Sequence, residues 1–491
     1  MTEQFLPLFI VIPLGMAIIN LLLSKFIKHI SPYLTFLVIM SLLWLSLKFW
    51  GHEPFYYGVG GWLPPIGISL VWDSLSQLLV MIISVISLAV TLFAIPYMQQ
   101  YTAQNKFYSL YLLMIAGMYG VVLTGDIFNL FVFLEIASIA SYALVAFGVE
   151  AEELEASFKY LILGGVSSTV ILLGIALLYS ITGTLNMADI SLRLQTGAPK
   201  NILFFVFALF TMGFGLKSAM VPFHAWLPDA HPSAPAPISA MLSGLIIKAL
   251  GIYAIARIFF VIIGILPIIK TILMTLGALS MVIGVFLAVG QWDFKRLLAY
   301  HSISQMGYVM VGIGLATPLG ILGGLFHLLN HAVFKSLLFL CSGAFEYTTG
   351  TRQLKQLGGL FRKMPFTGTS CSVAALSISG VPPFNGFWSK LIIIIALFQA
   401  KFYFLAAVTV FVSFMTLISF IKVQKYSLFG TLPERLDRIR EVPFLMATGM
   451  VILAILCLVI GILYPFYGHT LLEGAQDILV NPGQYLRFAL P

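Results

Sequence analysis

The sequence predicts an all-α protein that crosses a lipid bilayer about 14 times. The 491 residues are 60% hydrophobic and 9% charged, whereas soluble domains carry about 25% charged residues. Apolar runs of about 18 residues or more recur along the whole chain. Short polar loops separate these runs, and none of the loops is long enough to form a soluble domain.

The predicted helices follow one another with short connections. They lie at 5–24, 31–49, 69–97, 107–124, 127–148, 158–182, 201–221, 238–262, 265–290, 297–315, 319–345, 366–400 (interrupted), 402–421 and 444–466. No basic residue precedes the first run and no small-residue cleavage pattern follows it. We therefore interpret the first run as a retained helix and not as a signal peptide.

The charges of the loops predict how the chain is oriented in the cell membrane. With the N-terminus outside, the inside loops hold 15 of the 26 Lys and Arg residues and the outside segments hold 7. The inside set includes Lys28 and Lys295, and the outside set includes Arg257. The remaining four are Lys217, Lys248, Lys335 and Lys390, which lie within apolar helices. Since cytoplasmic loops are enriched in Lys and Arg, both termini of this multi-pass chain are predicted outside.

Internal repetition divides the chain into four parts. Residues 1–100 form three helices, 106–262 a first set of five, 265–422 a second set of five, and 423–491 a basic loop, the last helix and a short tail. The fourth helix of each set is broken by proline, at Pro222 and at Pro382–Pro383. An odd number of helices inverts the second repeat relative to the first. Paired broken helices at corresponding positions indicate an ion site in transporters.

Five charged residues lie deep in apolar helices: Glu135, Lys217, Lys248, Lys335 and Lys390. Lys217 precedes the first break, Lys248 lies in the next helix, and Lys390 follows the second break. A lysine at the centre of a membrane helix costs roughly 2.5–3.5 kcal/mol, so it is normally retained for a pathway or a partner. Glu135, the one carboxylate predicted to lie deep, is interpreted as the partner of a buried lysine such as Lys217. The alternative for Glu135 is a hydrogen bond to a Ser or Thr on a neighbouring helix.

His327, His331 and Lys335 follow one another at i, i+4 and i+8, which places them on one stripe of a helix. Imidazole titrates near neutral pH, so a proton relay is the favoured interpretation. Core histidines satisfied by water are the alternative. A metal site is not expected, because no acidic or cysteine ligand lies nearby.

Other polar residues have weaker signals. His301 is equally well explained as a relay residue or as a structural one. His224, Asp229 and His231 lie in the broken segment, where they would line a water-filled entrance or form a turn. Asp73 and Asp126 are predicted to cap helix N-termini. No cofactor and no nucleic acid is expected, and redox chemistry would have to come from another subunit.

Several long strings resemble one family of membrane proteins. They are Lys217-Ser-Ala-Met-Val-Pro-Phe-His-Ala-Trp-Leu-Pro-Asp-Ala230 with the HPSAPAPISAMLSGLIIKALGIY that follows, the run from Asp293 to Gly307, the HLLNHAVFKSLLFL helix, and Gly380-Val-Pro-Pro-Phe-Asn-Gly-Phe-Trp-Ser-Lys390. Over residues 70–465 the chain resembles the antiporter-like subunits shared by complex I, Mrp-type cation/proton antiporters and membrane-bound group 4 hydrogenases.

The resemblance implies a fold and a function. The fold has fourteen helices and two inverted five-helix repeats, each containing a broken helix and contributing a half-channel. The implied function is proton translocation, with no catalytic residue of its own, in a complex with other integral membrane subunits that exchanges protons, and in some members sodium ions. The implied proton relay consists of Glu135, Lys217, Lys248, His327, His331, Lys335 and Lys390.

Three parent functions stay open at this point. GTLNMADI and the compact length favour the D-type chain of an Mrp-type antiporter. A proton-pumping subunit of complex I (NADH–quinone oxidoreductase) or of a group 4 hydrogenase is the alternative within the family. A secondary solute transporter is the alternative from another class, although buried Lys, His and Glu side chains spread over several helices suit a proton wire better than a substrate pocket.

Overall fold

The computed structural model describes residues 3–27, 29–62, 64–197 and 199–489. Lys28, which the charge pattern assigns to an inside loop, lies outside the described residues. The helices of the first half are α1 (Leu8–Leu23), α2 (Ile30–Phe49), α3 (Ser74–Tyr97), α4 (Gln104–Leu123), α5 (Ile127–Val145), α6 (Ala151–Thr182), α7 (Met187–Gln195), α8 (Lys200–Lys217), α9 (Leu227–Ser233) and α10 (Ala236–Met241). Two strands, β1 (Phe55–Gly58) and β2 (Ser69–Trp72), pair antiparallel before α3.

The second half begins with π-helical turns that continue α10. They are Leu242–Tyr253 and Arg257–Ile262, on either side of the short helix α11 (Ala254–Ala256). The later helices are α12 (Pro267–Val289), α13 (Phe294–Gly314), α14 (Pro318–Thr349), α15 (Leu360–Lys363), α16 (Pro365–Ser379), α17 (Asn385–Gln399), α18 (Tyr403–Val423), α19 (Phe444–Val480) and α20 (Gly483–Ala489).

The all-α membrane architecture is confirmed. Among the described residues, 12 helices are long and apolar enough to cross a membrane. Two further crossings agree with the predicted fourteen: α13, and the pair α16 and α17 that the second break separates. The repeat boundaries remain a prediction.

Four features differ from the prediction, and local capping explains the first two. Residues 69–72 form strand β2 instead of helix, because Asp73 accepts a hydrogen bond from Ser76 N at 2.8 Å and starts α3 there. Helix α6 begins at Ala151, since the acidic stretch forms its first turns with Glu150 and Glu153 in a capping box. Helix α19 continues to Val480 beyond the predicted end at 466. The first broken segment is not wholly irregular, because it contains the helix α9.

The core of the bundle is made of two helical spans that the other helices surround completely. These spans are Ala236–Ile262 and α14, whose apolar windows are wholly buried. At Gly251 an added Cβ would come within 2.5 Å of Ser218, so the end of α8 can approach this span closely only because the residue is glycine. The close packing brings Lys217, at the end of α8, next to the core.

The bundle has two distinct ends. One end carries Lys159, Arg296 and Arg352, and we call it the basic end. The other carries the β1–β2 hairpin, and we call it the hairpin end. The basic end is the face that the loop charges predict to be inside.

Candidate functional site

Glu135 and Lys217 form an ion pair between α5 and the end of α8. Lys217 Nζ lies 3.5 Å from Glu135 Oε1. The same ammonium donates to Ser138 Oγ at 2.9 Å and to Tyr142 OH at 3.3 Å. Glu135, Ser138 and Tyr142 are spaced i, i+3 and i+7, so one face of α5 presents all three to the lysine. Ser168 Oγ of α6 donates to Glu135 Oε1.

The structure corrects the expectation that Glu135 is the one deep carboxylate. Its side chain is 26% exposed, whereas the Lys217 side chain is only 2% exposed. Asp73 is fully buried instead and pairs with Arg257 at the hairpin end. Glu135 therefore lies at the edge of the bundle, and both of the interpretations offered for it are present, since it contacts a lysine and a serine together.

The break after Lys217 is held by neighbouring elements. Trp226 Nε1 donates to Leu216 O at 2.9 Å, and Val221 N donates to Ser280 Oγ of α12 at 3.0 Å. These bonds satisfy backbone groups that the interrupted helix leaves free, as irregular backbone at membrane depth requires.

Lys248 lies in the middle of the first π-helical segment, Leu242–Tyr253, and is fully buried. Its Nζ donates to Ser243 O at 2.5 Å, five residues earlier. Single π-turns inside helices occur often at functional sites, and here the π-helical stretch spans 12 residues.

His327, His331 and Lys335 form a stripe along α14, which we call the α14 stripe. Among these three residues, only the side chain of His327 has hydrogen-bond partners among the described residues. Its Nδ1 lies 2.9 Å from Ser389 Oγ of α17, and its Nε2 lies 3.1 Å from Gln305 Oε1 of α13. Because Ser389 precedes Lys390 in the chain, these bonds connect the stripe to the second broken helix.

His331 and Lys335 lie beside His327 without a hydrogen-bond partner among the described residues. Both ring nitrogens of His331 and the Nζ of Lys335 are buried and unpaired. Since buried polar groups of folded proteins are almost always hydrogen-bonded, these atoms predict water molecules along the stripe. Such water would connect side chains that do not touch one another directly.

Lys390 lies against the second break. Its Nζ donates to Ile378 O at 2.7 Å and to Ser413 Oγ of α18 at 3.2 Å. The ammonium also lies 5.1 Å from the centroid of the Tyr308 ring. The partners of Lys390 are therefore neutral.

The accessory candidates do not form one cluster. Asp229 is at the basic end, where it contacts Lys159 at 3.1 Å and Arg296 at 3.2 Å. His231 is fully buried nearby, whereas His224 is partly exposed. His301 Nε2 lies 2.8 Å from Ser419 Oγ of α18.

Several polar residues of the site were not predicted from the sequence. They are Ser138, Tyr142, Ser168, Gln305, Tyr308, Ser389 and Ser413. The spacing from Glu135 points to Ser138 and Tyr142, and the spacing i, i+4, i+7 from His301 points to Gln305 and Tyr308. Ser168 and Ser413 carry no local signal, because each contacts a charge that lies far away in the chain.

Comparison with known proteins identifies the family. A family model described as NADH:quinone oxidoreductase/Mrp antiporter, TM, matches residues 124–416. A second, described as NADH-Ubiquinone oxidoreductase (complex I), chain 5 N-terminus, matches residues 62–108. The chain belongs to the NADH:quinone oxidoreductase/Mrp antiporter membrane family.

Relatives in this family differ in the complexes for which they are named. The D-type chain of the Na(+)/H(+) antiporter of Alkalihalophilus pseudofirmus is 36% identical over 420 residues, which cover 84% of this chain and 85% of that protein. The N-type chain of the NADH-quinone oxidoreductase of Desulforudis audaxviator is 38% identical over 387 residues, 78% of this chain and 77% of that protein. A solved structure of the Mrp complex from a Dietzia species contains a chain with a TM-score of 0.92 and 30% identity, covering 100% of this chain and 99% of that one.

Proposed function

We propose that this chain is the D-type, proton-translocating subunit of a multi-subunit cation/proton antiporter in the cell membrane. The observation that carries the proposal is a series of buried ionisable side chains that crosses the core from one broken helix to the other. It begins at the Glu135–Lys217 pair, continues through Lys248 and the α14 stripe, and ends at Lys390. The relatives named as D-type antiporter chains support the same function.

The Glu135–Lys217 pair is suited to act as a switch. An opposite charge about 4 Å away contributes roughly 4 kcal/mol at an effective dielectric constant near 20. Lys217 has Ser138 and Tyr142 as neutral partners, so it can lose the carboxylate without losing all of its hydrogen bonds. Closing the contact keeps the proton on Lys217, and loosening it favours release of that proton toward Lys248.

Protons would leave the switch along α14. His327 can accept a proton on one ring nitrogen while it donates from the other, and its two partners hold the ring in place. Lys390 then acts as the terminal donor or acceptor, because its hydrogen-bond partners are neutral oxygens and no carboxylate pairs with it in the part of the chain that the structure describes.

We also propose that another membrane subunit covers the outer face of α5. The side chains of Phe128, Val132 and Ile139 are exposed on this face, on either side of Glu135. A partly exposed carboxylate beside such residues would otherwise face lipid, which is costly. We therefore expect the purified single chain to show no useful Na⁺/H⁺ exchange in liposomes, and fast exchange by the single chain would contradict this expectation.

One transport assay tests the proposed function. Everted membrane vesicles containing the whole complex are given a pH gradient, and the fluorescence of a pH-gradient probe is followed after Na⁺ or a panel of organic solutes is added. Collapse of the gradient on Na⁺ alone is the expected result. Collapse on a solute would favour a solute transporter.

A redox-driven complex is the second candidate, favoured by the 38% identity to the N-type chain of an NADH-quinone oxidoreductase. Purification of the native complex and identification of its co-migrating chains separates the two. Soluble redox subunits would indicate a redox-driven pump, and membrane subunits alone would indicate an antiporter. A tag at either terminus that is accessible from outside intact cells would support the proposed orientation.

A further inference from the structure

A polar cleft opens at the basic end, on the seam between the two predicted repeats. Its volume is about 340 Å³. Charged side chains from three parts of the chain line it: Glu155 and Lys159 of α6, Asp229 of α9, and Asp293, Arg296 and Arg352 around α13. Neither broken-helix lysine belongs to this lining.

A pair of charges leads from the cleft into the protein. Arg352 lines the cleft, and its Nη1 donates to Glu346 Oε1 of α14 at 3.3 Å. Glu346 Oε2 lies 2.9 Å from the Nζ of Lys295, whose side chain is only 3% exposed. The loop-charge pattern assigns Lys295 to an inside loop. Lys295 is instead buried beside Glu346, so this ion pair extends the charges of the cleft below the surface of the protein.

The same cations hold the backbone around His231. Arg352 donates to Pro232 O at 2.9 Å, and Lys295 donates to Ala234 O at 3.1 Å. Both ring nitrogens of His231 are buried and have no hydrogen-bond partner among the described residues. A buried imidazole thus follows the ion pair in the direction of the core.

Phe339 separates this imidazole from the α14 stripe. The ring centroids of His231 and Phe339 are 4.7 Å apart, and Lys335 Nζ lies 5.7 Å from the centroid of Phe339. Phe339 follows His327, His331 and Lys335 at the same spacing of four residues, so it continues their stripe toward the basic end. An added Cβ at Gly343, four residues further, would come within 2.1 Å of Ala236 Cβ, and only glycine allows the His231 segment to pack so closely on α14.

We propose that protons are taken up at this seam and reach Lys335 through Glu346, Lys295 and His231, with Phe339 as the barrier that must move. This route rests on the proposed function, but it joins the relay in its middle. It supplies the second half of the relay, from Lys335 to Lys390, without passing the Glu135–Lys217 pair.

The test measures Na⁺-dependent collapse of a pH gradient by the whole complex in everted vesicles, at equal levels of assembled complex. His231→Gln and Glu346→Gln should lower the rate roughly 10-fold or more, since each removes a proton-transferring group. His52→Gln is the matched control, because His52 is exposed at the hairpin end. Phe339→Ala should speed the collapse before Na⁺ is added, whereas loss of packing alone would reduce assembly without a proton leak per complex.

Thiol labelling gives a readout that does not depend on transport. Cys341, Cys371 and Cys457 are buried, so we expect little background labelling on the band of this chain. Ser233→Cys, which lines the cleft, should react with a membrane-impermeant maleimide, and Glu346→Cys should react from the same side. Labelling of Ser233→Cys without labelling of Glu346→Cys would overturn the route.

The transport results separate this route from the proposed function. Normal rates for His231→Gln and Glu346→Gln together with an inactive Lys335→Ala would refute seam uptake and leave the relay standing. Normal rates for Lys335→Ala, Glu135→Ala and Lys217→Ala would refute both.

Discussion

Two carboxylate–cation pairs lie in the same bundle, and they are built differently. Asp73 and Arg257 at the hairpin end form two hydrogen bonds, at 2.5 and 2.9 Å, with side chains that are 0% and 2% exposed. Glu135 and Lys217 approach only to 3.5 Å, and the glutamate is partly exposed. Arginine stays protonated, whereas lysine can release its proton when its surroundings change. The first pair is suited to remain closed, and the second is suited to open.

The surroundings of the two pairs also favour a fixed Asp73–Arg257 pair and a Glu135–Lys217 pair that can open. Aromatic rings enclose Arg257: its guanidinium lies 5.4 Å from the Tyr253 ring and 5.0 Å from the Tyr485 ring of α20. Asp73 also caps α3. Lys217 instead has two hydroxyl groups as alternative partners. A pair that joins the start of α3 to the end of the core span Ala236–Ile262 is suited to a structural role, and a pair with alternatives can change its contacts at low cost.

The largest expected effect is the loss of transport when either partner of the Glu135–Lys217 pair is removed. Glu135→Ala and Lys217→Ala should each reduce transport by roughly 100-fold or more, because either change removes one partner of the switch. The protein should still be inserted and assembled, since removing a charge from a membrane helix does not hinder insertion. Gradient collapse in vesicles measures the effect, and Lys200→Ala at the exposed start of α8 is the control. Near-normal exchange by either variant would exclude the pair as a switch.

Lys390 provides the next test. A relay lysine must release its proton, whereas arginine keeps the charge but cannot cycle. Lys390→Arg should therefore assemble normally and transport as poorly as Lys390→Ala, roughly 10-fold or more below the native protein. Proton transport at equal membrane levels decides the question. An active Lys390→Arg beside an inactive Lys390→Ala would show that only the positive charge matters there.

Asp73→Ala should lower the stability of the protein and leave proton transport by the assembled complex intact. It leaves Arg257 buried and unpaired, which costs about 3–5 kcal/mol. The amount of assembled complex in the membrane should fall several-fold, while transport per assembled complex stays unchanged. Asp126→Ala is the matched control, because Asp126 caps α5 through Asn129 N at 2.7 Å but has no cation within 4 Å among the described residues. A loss of transport per complex in Asp73→Ala would indicate that the Asp73–Arg257 pair takes part in translocation.

The contrast between the pairs also shows how far the sequence predicts the structure. Glu135 and Lys217 stand out in the sequence because a charge within a long apolar run is costly wherever its partner lies. The capping roles of Asp73 and Asp126 are also predicted and are confirmed. The burial of Arg257 is not predicted, since a charge near a helix end has the same local pattern whether it is solvated or buried. Its partner lies 184 residues away, and only the fold brings the two together.

A predicted helix boundary is wrong where a local cap outweighs the hydropathy of the run. The run 69–97 is apolar throughout, yet the capping box at Asp73 ends the strand and starts the helix inside that run. The second half of the relay was predicted in part, because His327, His331 and Lys335 repeat every four residues. Ser389 and Gln305, which hold His327, carry no charge and therefore have no insertion cost that would mark them.

Ser138→Ala is the smallest change that still separates a switch from a fixed pair. It removes the hydroxyl that accepts from Lys217 Nζ at 2.9 Å, and Tyr142 OH and Glu135 remain. A hydrogen bond to a charged group contributes about 1.5–3 kcal/mol, but the loss is shared with Tyr142, so we expect transport to fall only about 3- to 10-fold. If the pair opens during turnover, Ser138 matters most in the open state, and the double variant Ser138→Ala/Tyr142→Phe should lose far more than the sum of the single losses. Strictly additive small losses would mean that Lys217 never leaves Glu135. The control is Ser141→Ala, three positions further along α5, whose hydroxyl contacts Tyr160 and not the lysine.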